Sequence, residues 1–99
     1  MKSAHSPPPQ PDARLVERIA ALSDKAALTE LDERYGPTLY AIAYGVLLDS
    51  GLADKAVAAA LRDAWRNAAA FDPRAGTVAS WLARLTRARA VRLGDGRAA

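Results

Sequence analysis

A chain of 99 residues, about half of them apolar, builds one small core and not two. Its 24 Ala against six aromatic residues and six Gly favour an all-α bundle, and with no Cys and one His it has no disulfide framework, thiol nucleophile or structural zinc site. The formal net charge of +3 hides an uneven distribution: residues 1–61 carry six basic and eight acidic side chains, residues 62–99 eight Arg and three Asp. A polyanion would therefore meet the last third, where guanidinium groups suit bidentate phosphate contacts.

Four Pro and one apolar residue between Ser3 and Pro11 predict an extended, disordered lead-in over residues 1–11, with His5 solvated. Asp12 then reads as the N-cap of a first helix in which Leu15, Val16, Ile19, Ala20 and Leu22 recur at helical spacing. Ser23-Asp24 breaks it. A second apolar series runs through Ala27, Leu28, Leu31, Tyr35, Leu39, Ile42, Ala43, Val46 and Leu47. Pro37 within it lacks a backbone donor and crowds the preceding turn, so one long bent helix is expected. Asp49-Ser50-Gly51 reads as a turn.

A third helix is expected over Ala53–Ala70, with Val57, Leu61, Ala64, Trp65 and Ala68 on its core face and Lys55, Ala59, Arg62 and Arg66 opposite. Phe71-Asp72-Pro73-Arg74-Ala75-Gly76 ends it. The last helix opens at Gly76 or Thr77 and runs to about Leu93, burying Val78, Trp81, Leu82 and Leu85 and leaving Arg84 and Arg87 outside. Arg89 and Arg92 fall within that buried arc, so either the helix outruns the core or both need acidic or phosphate partners. Gly94-Asp95-Gly96 is expected to end the helix and leave residues 94–99 as a flexible tail. The longest uncharged run, Tyr35–Leu48, has 14 residues and holds Gly36 and Pro37, short of the ~20 a membrane span needs. The N-terminus lacks the apolar middle of a signal peptide, so a cytoplasmic protein without membrane insertion is expected.

Placed on these helices, four segments resemble region 2 of the extracytoplasmic-function (ECF) sigma factors of the sigma-70 superfamily: the run from Leu31-Asp32-Glu33-Arg34-Tyr35 to Tyr40, the step Ala64-Trp65-Arg66, the stretch from Phe71-Asp72-Pro73-Arg74-Ala75-Gly76 to Trp81-Leu82, and Leu85-Thr86-Arg87-Ala88-Arg89-Ala90. The resemblance spans about Leu15 to Leu93, and its most specific part is the spacing from Trp65 through Phe71–Gly76 to Trp81-Leu82. It implies a helical domain over residues 12–93 that docks on the β′ clamp helices of the RNA polymerase core and engages the minus-ten promoter element as single-stranded DNA in transcription initiation. It implies no cofactor, metal or catalysis. Nucleic-acid contacts would fall on Phe71, Asp72, Arg74, Arg84, Arg87 and Arg89, and polymerase contacts on Asp54, Lys55, Ala58, Ala59 and Arg62. Arg groups neutralise phosphates, and a base taken out of the stack needs a pocket.

The chain departs from the family pattern on the third helix. An acidic residue, Gln and Glu are usual there, and Lys55, Ala58 and Ala59 stand in their places, with Asp54 left of the acidic cluster. In the last helix Ala88 stands where Asn or Ser is frequent and Arg92 where Asp is. Because the sequence stops just after region 2, the helix-turn-helix domain that reads the minus-thirty-five element is expected to be missing. A second reading turns on the Lys55, Ala58, Ala59 face: a degenerate sigma-like interaction module that binds an anti-sigma factor or other regulator without promoter recognition. Trp65, Trp81, Tyr35, Tyr40 and Tyr44 lie on apolar faces and read as core aromatics. Asp63 and Asp72 have no second functional group or pocket for acid–base work.

Overall fold

The computed structural model describes residues 10–98, so the expected lead-in lies outside the described residues apart from Gln10 and Pro11. Four helices follow in chain order: α1 (Asp12–Leu22), α2 (Lys25–Leu47), α3 (Ser50–Asn67) and α4 (Val78–Ala98), with a 3-10 turn, Ala68–Ala70, after α3. The all-α bundle is as expected, and among the described residues no helix is long and apolar enough to cross a membrane.

Aspartates set three of the helix starts, by two different devices. Asp12 is not the cap but the first helical residue, behind Pro11 at the cap position. Its carboxylate instead accepts from Arg34 Nη1 at 2.8 Å and from the Tyr35 hydroxyl, tying α1 to α2, while its charge favours the positive end of α1. Asp24 and Asp49 do cap: Asp24 accepts from the backbone N–H of Ala26 and Ala27, Asp49 from that of Leu52. Asp49-Ser50-Gly51 is thus the cap and first turn of α3, which begins three residues earlier than the sequence suggests. Left-handed residues, Ser23 at φ 49° and Leu48 at φ 52°, close α1 and α2 ahead of these caps. Asp24 also takes the Arg18 guanidinium through Nε at 2.9 Å and Nη2 at 2.7 Å, and this pairing holds its carboxyl below the usual carboxylate range. α2 continues unbroken past Pro37; Pro37 and Glu33, whose carbonyl the ring deprives of an N–H partner, are both exposed.

The core divides into two clusters along the long axis of α2. One gathers Leu15, Val16 and Ile19 with Leu31, Leu39, Val78, Trp81 and Leu82; the other is built on Ala43, Leu47, Ala53, Ala56 and Ala90. On α3 the structure corrects the helical wheel. The fully covered residues are Ala53, Ala56, Ala60 and Ala64, while Val57, Leu61 and Trp65 are only half-buried, and Ala59, expected opposite the core, is buried. α3 packs against both α2 and α4, so its covered arc is wider than one stripe, and small side chains let both neighbours approach closely.

α4 also departs from expectation by running through Gly94-Asp95-Gly96 to Ala98. Each Gly costs a helix interior about 1 kcal/mol relative to Ala, yet tertiary contacts hold this end. Arg97 Nη1 donates to the Leu47 carbonyl at 2.8 Å, satisfying an orphaned acceptor at the end of α2, and Gly94 lies against the Leu47 side chain.

Candidate nucleic-acid and partner surfaces

The connection from α3 to α4 is a loop closed by its own hydrogen bonds. Asp72 accepts the Arg74 backbone N–H at 2.9 Å on Oδ1 and the Ala75 N–H at 3.0 Å on its carbonyl, which folds Asp72–Ala75 into a tight turn. Thr77 caps α4: its Oγ1 accepts the Ser80 N–H at 3.0 Å while Ser80 Oγ donates back to the Thr77 carbonyl at 2.9 Å. Gly76 sits between them at φ 155°, and a Cβ there would lie 3.0 Å from Ser80 Oγ, so this corner requires glycine.

Beneath the loop, the rings of Phe71 and Trp81 meet with centroids 5.2 Å apart at a tilt of 50°. Trp81 is buried, and Phe71 is half-buried and packs against the core. They help to wall a pocket of about 120 Å³, with Asp72, Gly76, Thr77 and Arg84 around it. Of the residues assigned to nucleic acid, Phe71, Asp72 and Arg84 thus converge on one pocket. Arg74 stands outside it with its side chain 90% exposed, and Arg87 is exposed on α4.

Arg89 has a different place. Its Nε and Nη2 donate to the two carboxylate oxygens of Asp63 on α3 at 2.6 and 2.7 Å, which supplies the acidic partner the wheel demanded. The Arg89 hydrogen bond, with its charge and a contact from Arg66, holds the Asp63 carboxyl below its ordinary range against the opposing effect of burial. An aspartate kept ionised between two arginines is a structural tie and a poor proton donor or acceptor near neutral pH. Arg92 remains exposed.

The outer edge of α3 forms a ridge at Ala58, flanked by two unlike grooves. Toward α2 lies one of about 630 Å³ with Asp32, Glu33 and Asp54 at its edges and Tyr40, Val57 and Leu61 in its walls. Toward α4 lies one of about 440 Å³ lined by Lys55, Arg62, Arg89 and Arg92 over Ala58, Ala59 and Leu93. The five residues assigned to a polymerase contact are split by this ridge: Asp54 borders the acidic groove, Lys55, Ala59 and Arg62 the basic one, and Ala58 both. Asp32 and Glu33 were missed as surface residues, though with Gly36, Pro37 and Tyr40 they share one face at helical spacing; Tyr40 also packs against the second core cluster, as expected, whereas Tyr44, expected in the core, is exposed.

Residues 31–93 match the family model described as sigma-70 region 2. Over 77 residues the chain is 31% identical to the ECF RNA polymerase sigma factor SigK of Mycobacterium tuberculosis and, at the same identity, to that of Mycobacterium bovis. The aligned part is 78% of this chain and 41% of those relatives, so the chain spans less than half of their length.

Proposed function

The chain belongs to the sigma-70 region 2 family, and we propose that it serves transcription initiation by holding single-stranded promoter DNA at the loop before α4 while α3 docks on the RNA polymerase core. The observation that carries this reading is the Phe71–Trp81 pocket, with Arg84 at its edge and Arg74 and Arg87 exposed nearby. A flipped base has a planar face to stack on aromatic carbon and a ring edge that reaches Asp72 and Thr77 for hydrogen bonds. The three arginines would neutralise the phosphates adjoining that base. Asp72 serves twice, folding the loop through its bond to Arg74 and presenting an acceptor to the pocket. The test is fluorescence anisotropy with a single-stranded minus-ten oligonucleotide and its duplex. The single strand binds more tightly, and Trp81→Ala with Phe71→Ala abolishes the preference in a protein still helical by circular dichroism. Equal binding of strand and duplex by the unaltered chain refutes the reading.

Lys55 in the basic groove supports the second reading, a sigma-like module whose polymerase contact has been exchanged for a regulator such as an anti-sigma factor. The measurement is a pull-down with a β′ clamp-helix fragment, comparing the unaltered chain with Lys55→Asp/Ala58→Gln. Both positions are exposed, whereas buried Ala59 is unsuited to a polar replacement. Capture by the unaltered chain supports core docking, capture only by the variant supports the exchanged contact, and capture by neither removes polymerase from the proposal.

A further inference from the structure

We propose that the groove between α3 and α4 is a docking site for an acidic amphipathic helix of a protein partner. Four cationic side chains, Lys55, Arg62, Arg89 and Arg92, line it, and no carboxylate is among its lining residues. Lys55, Arg62 and Arg92 make no ion pair among the described residues, and only Arg89 is engaged, with Asp63. Like charges gathered on one concave surface repel one another, and an anion laid between them relieves that repulsion.

The floor chooses among anions. Ala59 and Leu93 form an apolar floor and Ala58 a low apolar ridge beside it, so a helix can seat a leucine stripe there while its flanking carboxylates reach the cationic side chains. Nucleic acid fits less well, because no aromatic side chain lines this groove to stack a base; the ring platform lies at the Phe71–Trp81 pocket instead. Across the Ala58 ridge, Asp32, Glu33 and Asp54 repel the same acidic helix and confine it to the α4 side. The partner is thus separate from the nucleic acid of the loop; because Lys55, Ala58, Ala59 and Arg62 are also among the residues assigned to a polymerase contact, the proposal rests on the second reading, in which this face has been exchanged for a regulator.

The test uses the full chain and a fluorescein-labelled, alanine-based amphipathic peptide helix with a Leu stripe flanked by Glu, beside a peptide with Lys in place of every Glu. Arg62→Glu/Arg92→Glu is expected to weaken the acidic peptide by about tenfold or more and to strengthen the Lys peptide. Arg14→Glu/Lys25→Glu makes the same change in net charge far from the groove and is expected to leave affinity within about twofold. Arg62→Gln/Arg92→Gln, at exposed positions, gives an intermediate loss and serves if the double reversal unfolds. Equal losses in both reversal variants, indifference to peptide charge, or displacement of the peptide by a single-stranded oligothymidylate whose own binding falls with the groove variants would overturn the proposal.

Discussion

Thr86→Val is expected to stabilise the domain. Thr86 is fully buried on the inner face of α4, and its Oγ1 has no hydrogen-bond partner among the described residues. A buried hydroxyl without a partner costs about 1–3 kcal/mol, because it has given up water and gained nothing. Val replaces that hydroxyl by a methyl of nearly the same size, keeps the β-branch and has a similar helix propensity, so most of the cost is recovered. The expected gain is about 1–2 kcal/mol, and each 1 kcal/mol moves the melting temperature of a domain this size by about 4–8 °C. Thr86→Ser isolates the hydroxyl, since it keeps the polar atom and removes the methyl, and it is expected to lose about 1 kcal/mol. Thermal and urea unfolding followed by circular dichroism read both variants. DNA affinity stays unchanged in Thr86→Val, because the side chain reaches no surface. A Val variant less stable than the parent would refute the reasoning, as expected if the hydroxyl had a partner such as the carbonyl one turn back.

Asp63→Asn is expected to flatten the acid limb of stability. The lowered Asp63 pKa, set first by the Arg89 hydrogen bond, gives stability that is present above the unfolded carboxylate value of ~3.9 and is lost as pH falls through the lower folded value. Urea midpoints measured down the pH scale should fall less steeply in the variant, with a residue of the effect left to Asp24, and superimposable acid limbs would exclude the role. Gly45→Ala should raise the urea midpoint by the equivalent of about 0.5–1 kcal/mol, since Gly45 is exposed within α2 and an added Cβ meets nothing within 4 Å; an unchanged or lower midpoint would count against it. Arg84→Ala/Arg87→Ala should reduce the salt slope of single-stranded DNA binding by about 1.4, two phosphate contacts at ~0.7 each. Arg89→Ala should instead lower the melting temperature and leave that slope in place, and the reverse pattern would return Arg89 to the nucleic-acid surface.

Helix number, the break at Ser23-Asp24 and continuity past Pro37 were legible because they rest on local chemistry: a capping carboxylate, an apolar period and the position of one ring. The face of α3 was legible in part: Ala64 and Ala68 are buried and Val57, Leu61 and Trp65 pack against the core as expected, but a wheel weights large apolar side chains and passed over Ala53, Ala56, Ala59 and Ala60. Here the covered residues are alanines, buried because two helices press on them rather than through their own hydrophobicity. The end of α4 was misread for a related reason. Gly94-Asp95-Gly96 is a stop by propensity, and the Arg97 contact with the Leu47 carbonyl, 50 residues away in the chain, overrides it. Arg89 was half legible: its place on the wheel announced a need for a partner, but nothing local names a carboxylate 26 positions earlier. The loop pocket was reachable through family resemblance alone, since neither periodicity nor composition brings Phe71 onto Trp81.

The fates of the arginines in the last third change what its positive charge means. Arg89 is tied to Asp63, Arg97 reaches the Leu47 carbonyl, and Arg66 lies 3.2 Å from Asp63. Those side chains support the bundle, and their charge contributes to the field more than to any ligand contact. Of the rest, Arg74, Arg84 and Arg87 belong to the loop and outer face of α4, whereas Arg62 and Arg92 line the groove against α3. One surface offers aromatic rings with charge and the other an apolar floor with charge, so they suit anions of different shape. Ionic strength therefore weakens ligands at both, but only at the loop should the loss of a ring change the choice between single strand and duplex, and only at the groove should reversal of peptide charge reverse the preference.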